Sequence, residues 1–335
     1  MVVFARSTAL RSAVNHLRHI STGSTAAPVP SGLSLSSLSL RRAVFYVPCS
    51  DERKIAKSYT SAADCIMYDL EDGVSLNRKD QARSLVLQAL SENPTNLLSN
   101  EGTGTHKKRT ELGVRINSVG SGLEQRDLEV ILESPYLDTI MVPKVERPED
   151  LRGVSEMVQR SGRSVSIIAG IETALGLLNI REIAQASEHT DALLFAAEDY
   201  CADTGILRTP GRRELYYARS VVATTAHAFR LQAIDMVTMD FRSPQVLAEE
   251  SREGAEMGFT GKQVIHPAQV DEVQRMFAPP VEAVRRAARI VEGYRVNYEA
   301  GRGAFDLDGK AIDMPVVKWA YRVLRQAELA GMTVE

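Results

Sequence analysis

Thr139-Ile140-Met141-Val142 is a short apolar run, and Pro143-Lys144 follows it directly. A stretch with helical periodicity comes next, Pro148–Gln159, and then a second apolar run, Ser164-Val165-Ser166-Ile167-Ile168-Ala169. A near-continuous run of Val, Ile and Leu is how a strand buried on both faces reads, and a helix between two such strands makes a parallel βαβ unit. The same alternation extends in both directions. Further runs are Ala43–Val47, Cys65–Leu70, Gly113–Ile116, Leu193–Ala197, Ala233–Met239 and Lys262–Ile265, and helical stretches fall at Arg78–Leu90, Leu123–Leu132, Ala174–Ala186, Arg213–Ala228 and Pro244–Met257. Eight strands alternating with helices predict an α/β fold, a (β/α)8 TIM barrel. An open doubly wound sheet is disfavoured because no GxGxxG follows the first run.

The 335 residues exceed what such a barrel needs. The predicted organisation is a leader over residues 1–40, a catalytic barrel over 41–280 and a C-terminal helical extension or arm over 281–335. Helical periodicity from Val281 to about Glu299 gives way to Gly301-Arg302-Gly303, Ala304–Asp308, a turn at Asp308-Gly309, and Asp313-Met314-Pro315 before a last helix. The polar stretch Glu92–Glu111, with its Lys107-Lys108-Arg109 cluster, reads as a surface insertion.

No acidic residue precedes Asp51, whereas Arg6, Arg11, Arg18, Arg41 and Arg42 stand among abundant Ser, Thr, Ala and Leu. A basic, Ser-rich, acid-free leader has the composition of an organelle transit peptide, and Arg18-His19-Ile20-Ser21 resembles a mitochondrial processing site. Cleavage there would remove three arginines and take the net charge from −3 to −6. The alternative is a tail that targets nothing. Near-balanced charge, with 40 basic and 43 acidic residues, argues against nucleic-acid partners. No run of 18 apolar residues predicts a membrane span. Three cysteines with no CxxC spacing argue against a disulfide scaffold or thiolate zinc site, and Cys49, Cys65 and Cys201 read as small core fillers.

In barrel enzymes the chemistry gathers where strands end. Here the runs end in Tyr46-Val47-Pro48, Asp69-Leu70-Glu71-Asp72-Gly73, Arg115-Ile116-Asn117, Pro143-Lys144, Glu172, Glu198-Asp199, Asp240 and His266-Pro267. Several carboxylates with one arginine and one lysine suit a hard divalent cation and an anionic substrate. Mg2+ commonly takes one or two protein carboxylates and completes its shell with substrate and water, so Glu172 and Asp199 are the candidate ligands. The competing reading makes these carboxylates N-caps of the helices that follow. Arg115 suits a substrate carboxylate as a fork, or a barrel-bottom ion pair. His266 is equally readable as a ligand contact or a structural histidine.

The motifs Arg42-Ala43-Val44-Phe45-Tyr46-Val47-Pro48, Tyr68-Asp69-Leu70-Glu71-Asp72-Gly73-Val74, Val114-Arg115-Ile116-Asn117, Pro143-Lys144-Val145-Glu146, Ile171-Glu172-Thr173-Ala174, Ala197-Glu198-Asp199 and Val264-Ile265-His266-Pro267 come in the order of the CitE branch of the HpcH/HpaI aldolase family, which the chain resembles from about Arg41 onward. The resemblance implies a Mg2+-dependent barrel enzyme that assembles as a homotrimer. It implies cleavage of (3S)-citramalyl-CoA to acetyl-CoA and pyruvate, with malate or methylmalate synthase side activity. By position it makes Glu172 and Asp199 the metal ligands and Arg115 a substrate contact. Tyr46, Arg53, Ile265 and His266 then line the CoA or acyl pocket. Asp313 becomes the catalytic carboxylate, delivered from a neighbouring subunit, with a helix N-cap as its alternative role. Two other outcomes stay open: related acyl-CoA chemistry (malyl-CoA lyase, malyl-CoA thioesterase or malate synthase), and a non-catalytic CoA- or partner-binding module. The chain departs from the family pattern at Cys49, where Gly is usual, and at Arg53, where Lys is frequent.

Overall fold

A computed structural model describes residues Leu40–Glu92 and Arg109–Met332. Eight parallel strands close into a barrel: β1 (Ala43–Pro48), β2 (Cys65–Asp69), β3 (Glu111–Arg115), β4 (Thr139–Val142), β5 (Ser166–Ile171), β6 (Thr190–Phe195), β7 (Gln232–Asp235) and β8 (Gly261–Val264). Closure is explicit in the register, for β1 pairs with β2 on one side and with β8 on the other, where Ala43, Val44 and Phe45 face Lys262, Gln263 and Val264. The helices of this unit are α1 (Glu52–Ser58), α2 (Lys79–Glu92), α3 (Glu124–Ile131), α4 (Pro148–Arg160), α5 (Ala174–Leu178), α6 (Ile180–Ile183), α7 (Ala197–Thr204), α8 (Tyr216–Ala228), α9 (Pro244–Glu256) and α10 (Val270–Met276).

Side chains alternate across each strand. Val44, Cys65, Met67, Met141, Ile168, Ala192, Leu194 and Ile234 fill the barrel interior, with Tyr46 and Ala196 packed above them. The intervening residues, such as Phe45, Ile66, Val114, Ile167 and Leu193, belong to the layer between strands and helices. Arg41 plugs the start of the barrel. It is fully buried and bonded to Glu111, Asp191 and Ser166.

The strand bounds depart from the apolar runs in two informative places. The Leu193–Ala197 run is cut short, because β6 ends at Phe195 and α7 begins at Ala197; Glu198 and Asp199 therefore sit in the first turn of a helix rather than at a strand end. The Ala233–Met239 run likewise supplies only β7, which ends at Asp235, and Asp240 lies in the loop beyond. The single helix expected over Ala174–Ala186 is two short ones, α5 and α6, meeting at Asn179. Glu92 and Glu111 are not insertion: the first ends α2 and the second begins β3. The rest of that insertion up to Lys108, and the leader that reads as a transit peptide, lie outside the described residues, whereas Arg109 pairs with Asp138.

A second compact unit runs from Ala278 onward. It holds α11 (Val281–Glu299), an antiparallel hairpin of β9 (Phe305–Leu307) and β10 (Lys310–Ile312), and α12 (Met314–Leu329). Its own core is Val284, Ala287, Ile290, Val291, Tyr294, Val317, Tyr321 and Leu324, with Phe305 packed alongside. No described helix is long and apolar enough to cross a membrane.

Candidate active site

The alternation that fills the barrel with apolar side chains also lifts polar ones into its mouth. On β2 the inward series Cys65, Met67, Asp69 ends in a carboxylate, and on β3 the series Gly113, Arg115 ends in a guanidinium. Asp69 and Arg115 are register partners, so they meet. Arg115 Nε and Nη2 each donate to Asp69 at 2.7 Å, and Nη1 lies 2.9 Å from Glu71 Oε2 without hydrogen-bond alignment. The guanidinium also sits over the Tyr46 ring, 5.1 Å from its centroid. Arg115 thus makes an ion pair at the mouth of the barrel, not at its bottom. N–H groups on Nη1 and Nη2 remain for an incoming anion.

Burial pushes the Asp69 carboxyl up, but the Arg115 charge and hydrogen bonds, with the Glu71 and Gly73 N–H groups, outweigh it and hold Asp69 below the usual aspartate value. Gly73 is required for that last contact, since a Cβ there would lie 2.4 Å from Asp69 Oδ2.

Lys144 is the hub of the cluster, and it was absent from the candidate site residues. It follows β4 in left-handed backbone (φ 52°), an unfavourable conformation for a side-chain-bearing residue. Its Nζ donates to Glu71 Oε1 at 2.6 Å and to Asp72 Oδ2 at 3.3 Å, and it lies 3.4 Å from Asp199 and 3.9 Å from Glu172. Burial lowers the ammonium pKa, but Glu71, Glu172 and Asp199 together raise it well above the ordinary lysine value. The sequence signal was the dipeptide Pro143-Lys144 at a strand end. Only the folded chain shows four carboxylates converging on it.

Glu172 projects from the end of β5 and is fully buried, yet neither carboxylate oxygen has a hydrogen-bond partner. Burial first, and repulsion from Glu71 and Asp199 second, push its pKa up to about 8. A carboxylate buried without a hydrogen bond is expensive to ionise unless a further positive group completes it. Gly170, two residues earlier on the same face, makes room for this carboxylate, because a Cβ there would stand 2.6 Å from Glu172 Oε1. The N-cap reading fails for both candidate ligands. Thr173 caps α5, and α7 starts from Ala196 with no side-chain cap. Glu172 and Asp199 instead share Lys144. Among the described residues no group of three or more His, Cys, Asp or Glu side chains forms a ready metal cage. Two carboxylates, with substrate and water completing the shell, is the coordination Mg2+ favours, and the orphaned oxygens of Glu172 fit it.

Of the remaining candidates all but Tyr46 lie further out. Tyr46 belongs to the cluster, with its hydroxyl buried and unbonded, and burial raises its pKa. Arg53 is exposed on α1, beside a shallow depression lined by Pro48, Ser50, Asp51, Lys54, Gly73 and Arg78. Ile265 and His266 are exposed past β8. His266 has a structural task, its Nδ1 accepting from Ala268 N at 3.2 Å, and its ring stacks on Phe241. Asp313 precedes α12 as its N-cap, the alternative role the sequence offered, and its carboxylate accepts a long 3.4 Å bond from Val316 N. Cys49 is buried as a filler, and its backbone N–H bonds Asp69 O.

Comparison with known proteins agrees with the fold. The HpcH/HpaI aldolase/citrate lyase family model matches residues 42–267. The mitochondrial citramalyl-CoA lyase of Rattus norvegicus is 38% identical over 331 residues, covering 94% of each chain. The citrate lyase subunit beta of Escherichia coli K12 is 32% identical over 302 residues, covering 88% of this chain and 96% of that one. The crystal structure of CitE from Mycobacterium tuberculosis, solved with magnesium, acetoacetate and coenzyme A, superposes with a TM-score of 0.67 at 29% identity, covering 86% of this chain and 98% of that one. The barrel, its carboxylate-lined mouth and these likenesses together show that the chain belongs to the HpcH/HpaI aldolase/citrate lyase family.

Proposed function

We propose that this protein is a Mg2+-dependent carbon–carbon lyase that cleaves (3S)-citramalyl-CoA to acetyl-CoA and pyruvate. The observation that carries the reading is Glu172, a buried carboxylate with two unbonded oxygens, held beside Asp199 by one lysine at the mouth of a barrel. The named relatives supply the substrate: a citramalyl-CoA lyase is 38% identical over nearly the whole chain, and a CitE structure holds magnesium with coenzyme A.

Glu172 and Asp199 would hold the ion. Bound there, Mg2+ supplies Lewis acidity toward the substrate's carboxylate and tertiary hydroxyl oxygen. The free N–H groups of Arg115 oppose negative charge as the carbon–carbon bond gives its electron pair to the acetyl carbon. Asp69 and Tyr46 keep that guanidinium in place, and Lys144 shares Glu71 with it through the other carboxylate oxygen. The hydroxyl proton passes to solvent as the ketone of pyruvate forms, and Asp313, protonated from solvent, gives its proton to the acetyl carbon, so the reaction is proton-neutral. In the synthase direction the same carboxylate removes a proton from the acetyl methyl. Arg53, Ile265 and His266 line the path for the CoA arm. The enzyme acts as a homotrimer in which each Asp313 serves a neighbouring subunit, and the acid-free leader delivers it to the mitochondrial matrix.

Purified protein with Mg2+ is expected to release pyruvate from citramalyl-CoA, to stop in EDTA and to lose activity as Asp313→Ala. No pyruvate above background, with Mg2+ binding intact, overturns the reading. Comparing kcat/KM for malyl-, methylmalyl- and citramalyl-CoA tests the substrate, since one methyl group is worth only about 1–3 kcal/mol in a pocket.

A further inference from the structure

Asp199 sits in a helical turn whose usual fastening is missing. The residue before α7 is Ala196, which offers no side chain to the first turn's free N–H groups, and only the Ala196 N to Ile171 O bond (3.2 Å) ties its entry to β5. Besides Lys144, which lies 3.4 Å from Asp199 itself, what grips the turn is Glu198, the neighbour of Asp199. Its carboxylate takes a charge-assisted bond from Arg208 Nη1. The same guanidinium donates from Nη2 to Val237 O at 2.9 Å and lies 3.4 Å from Glu250 on α9.

Glu250 is itself fixed from several sides. Thr238 Oγ1 donates to it at 2.7 Å, and both the buried Lys262 Nζ and Arg212 Nη1 stand 3.5 Å away. Lys262 in turn donates to Met236 O at 2.7 Å, and Gln269 Nε2 donates to Thr238 O at 3.0 Å. Arg208 therefore couples a turn with no cap of its own to the rigid segment that follows β7.

We propose that Arg208 is a positioning residue for the divalent-cation site. Through Glu198 it fixes the first turn of α7, and so sets where the Asp199 carboxylate stands relative to Glu172. It touches neither substrate nor cation. The inference rests on reading Glu172 and Asp199 as the cation ligands, and it adds that ligand placement on α7 depends on a contact made by the residue next to the ligand. Groups that orient metal ligands typically matter about 10–100-fold in metal affinity.

The test uses the full chain and Mn2+ as the probe, with binding read by electron paramagnetic resonance in the absence of substrate. Arg208→Gln is expected to weaken Mn2+ binding about 10-fold or more, and Glu198→Gln is expected to do likewise. Arg208→Lys restores only part of the affinity, because one ammonium cannot span both Glu198 and Val237 O. Arg212→Gln is the structural control. It breaks pairs to Glu253 and Glu250 in the same network without touching Glu198, and should stay within about twofold of the parent. If Arg208→Gln does not fold, Glu198→Gln decides. Mn2+ affinity unchanged in Glu198→Gln, or lowered equally in Arg212→Gln, overturns the inference. Asp199→Ala separates the two levels: if it binds Mn2+ as the parent does, the ligand reading fails and this inference with it. If it loses binding while the Arg208 and Glu198 variants keep it, only the positioning role fails.

Discussion

Asp69 and Arg115 are neighbours by strand register, and their side chains close a two-bond ion pair at 2.7 Å that fixes the guanidinium before any substrate arrives. A preset fork costs less to organise when an anion binds than a free arginine would. It also makes Asp69 a stability determinant with a defined pH signature.

Because the Asp69 carboxyl is held below its ordinary value, the folded state binds protons there less readily than the unfolded chain does. The stabilisation is present at neutral pH and is lost as pH falls through the depressed value. Asp69→Asn is expected to cost about 2–4 kcal/mol at pH 7, since it removes the two-bond carboxylate partner of a largely buried cation and leaves it only Glu71. In urea unfolding measured between about pH 5 and pH 2, the parent should lose stability more steeply than Asp69→Asn.

Glu172→Gln keeps the shape of the buried side chain and removes its capacity to ionise against a cation. Lyase turnover is expected to fall by about two orders of magnitude or more, with Mn2+ affinity falling in parallel. Its thermal stability should not fall, because the parent carboxylate is buried without a hydrogen bond. A clear loss of Tm would contradict this account of Glu172.

Gly170→Ala tests the room left for that carboxylate. The added Cβ would meet Glu172 Oε1 at 2.6 Å and Met141 Cε at 2.7 Å. Overpacking of this kind costs about 1–3 kcal/mol, and weakened Mn2+ binding should accompany it because the ligand itself is displaced. Denaturant midpoint and metal titration on the same protein check both.

Lys144→Met should destabilise the protein by leaving Glu71 buried without its 2.6 Å partner. Lys144 is 31% exposed, so the cost is held to about 1–3 kcal/mol. Adding Glu71→Gln should recover part of the loss, and a double-mutant cycle in urea measures the coupling.

Mixing two inactive proteins tests the arm. If Asp313 serves a neighbouring subunit, Asp313→Ala and Glu172→Gln chains refolded together should regain part of the parent's activity, because some sites then pair an intact Asp313 with an intact Glu172. Activity that stays at the level of either variant alone would show that both residues act within one chain.

Much of this architecture is written locally. Each strand is a short apolar run, and that signal needs no knowledge of its neighbours, so eight strands and the longer helices α2, α4, α8, α9 and α11 were legible. The short helices α1, α7 and α10 were not, since one or two turns are too few for a 3.6-residue period to register against a strand that ends beside them. That is why Glu198 and Asp199 read as a strand terminus and prove to be a helical turn.

The sequence by itself determined the barrel's units, the separate C-terminal segment, and the residue types at the strand ends, because hydrophobic periodicity and residue chemistry are properties of the chain. Tertiary structure alone decided that β1 closes on β8, that Arg115 spends its fork on Asp69, and that Lys144 in left-handed backbone collects carboxylates from two strand ends and a helical turn. Those facts depend on register and on distances between residues far apart in the chain. No local pattern encodes such distances, and they decide which carboxylates are hydrogen-bonded and which one, Glu172, is buried without a hydrogen bond.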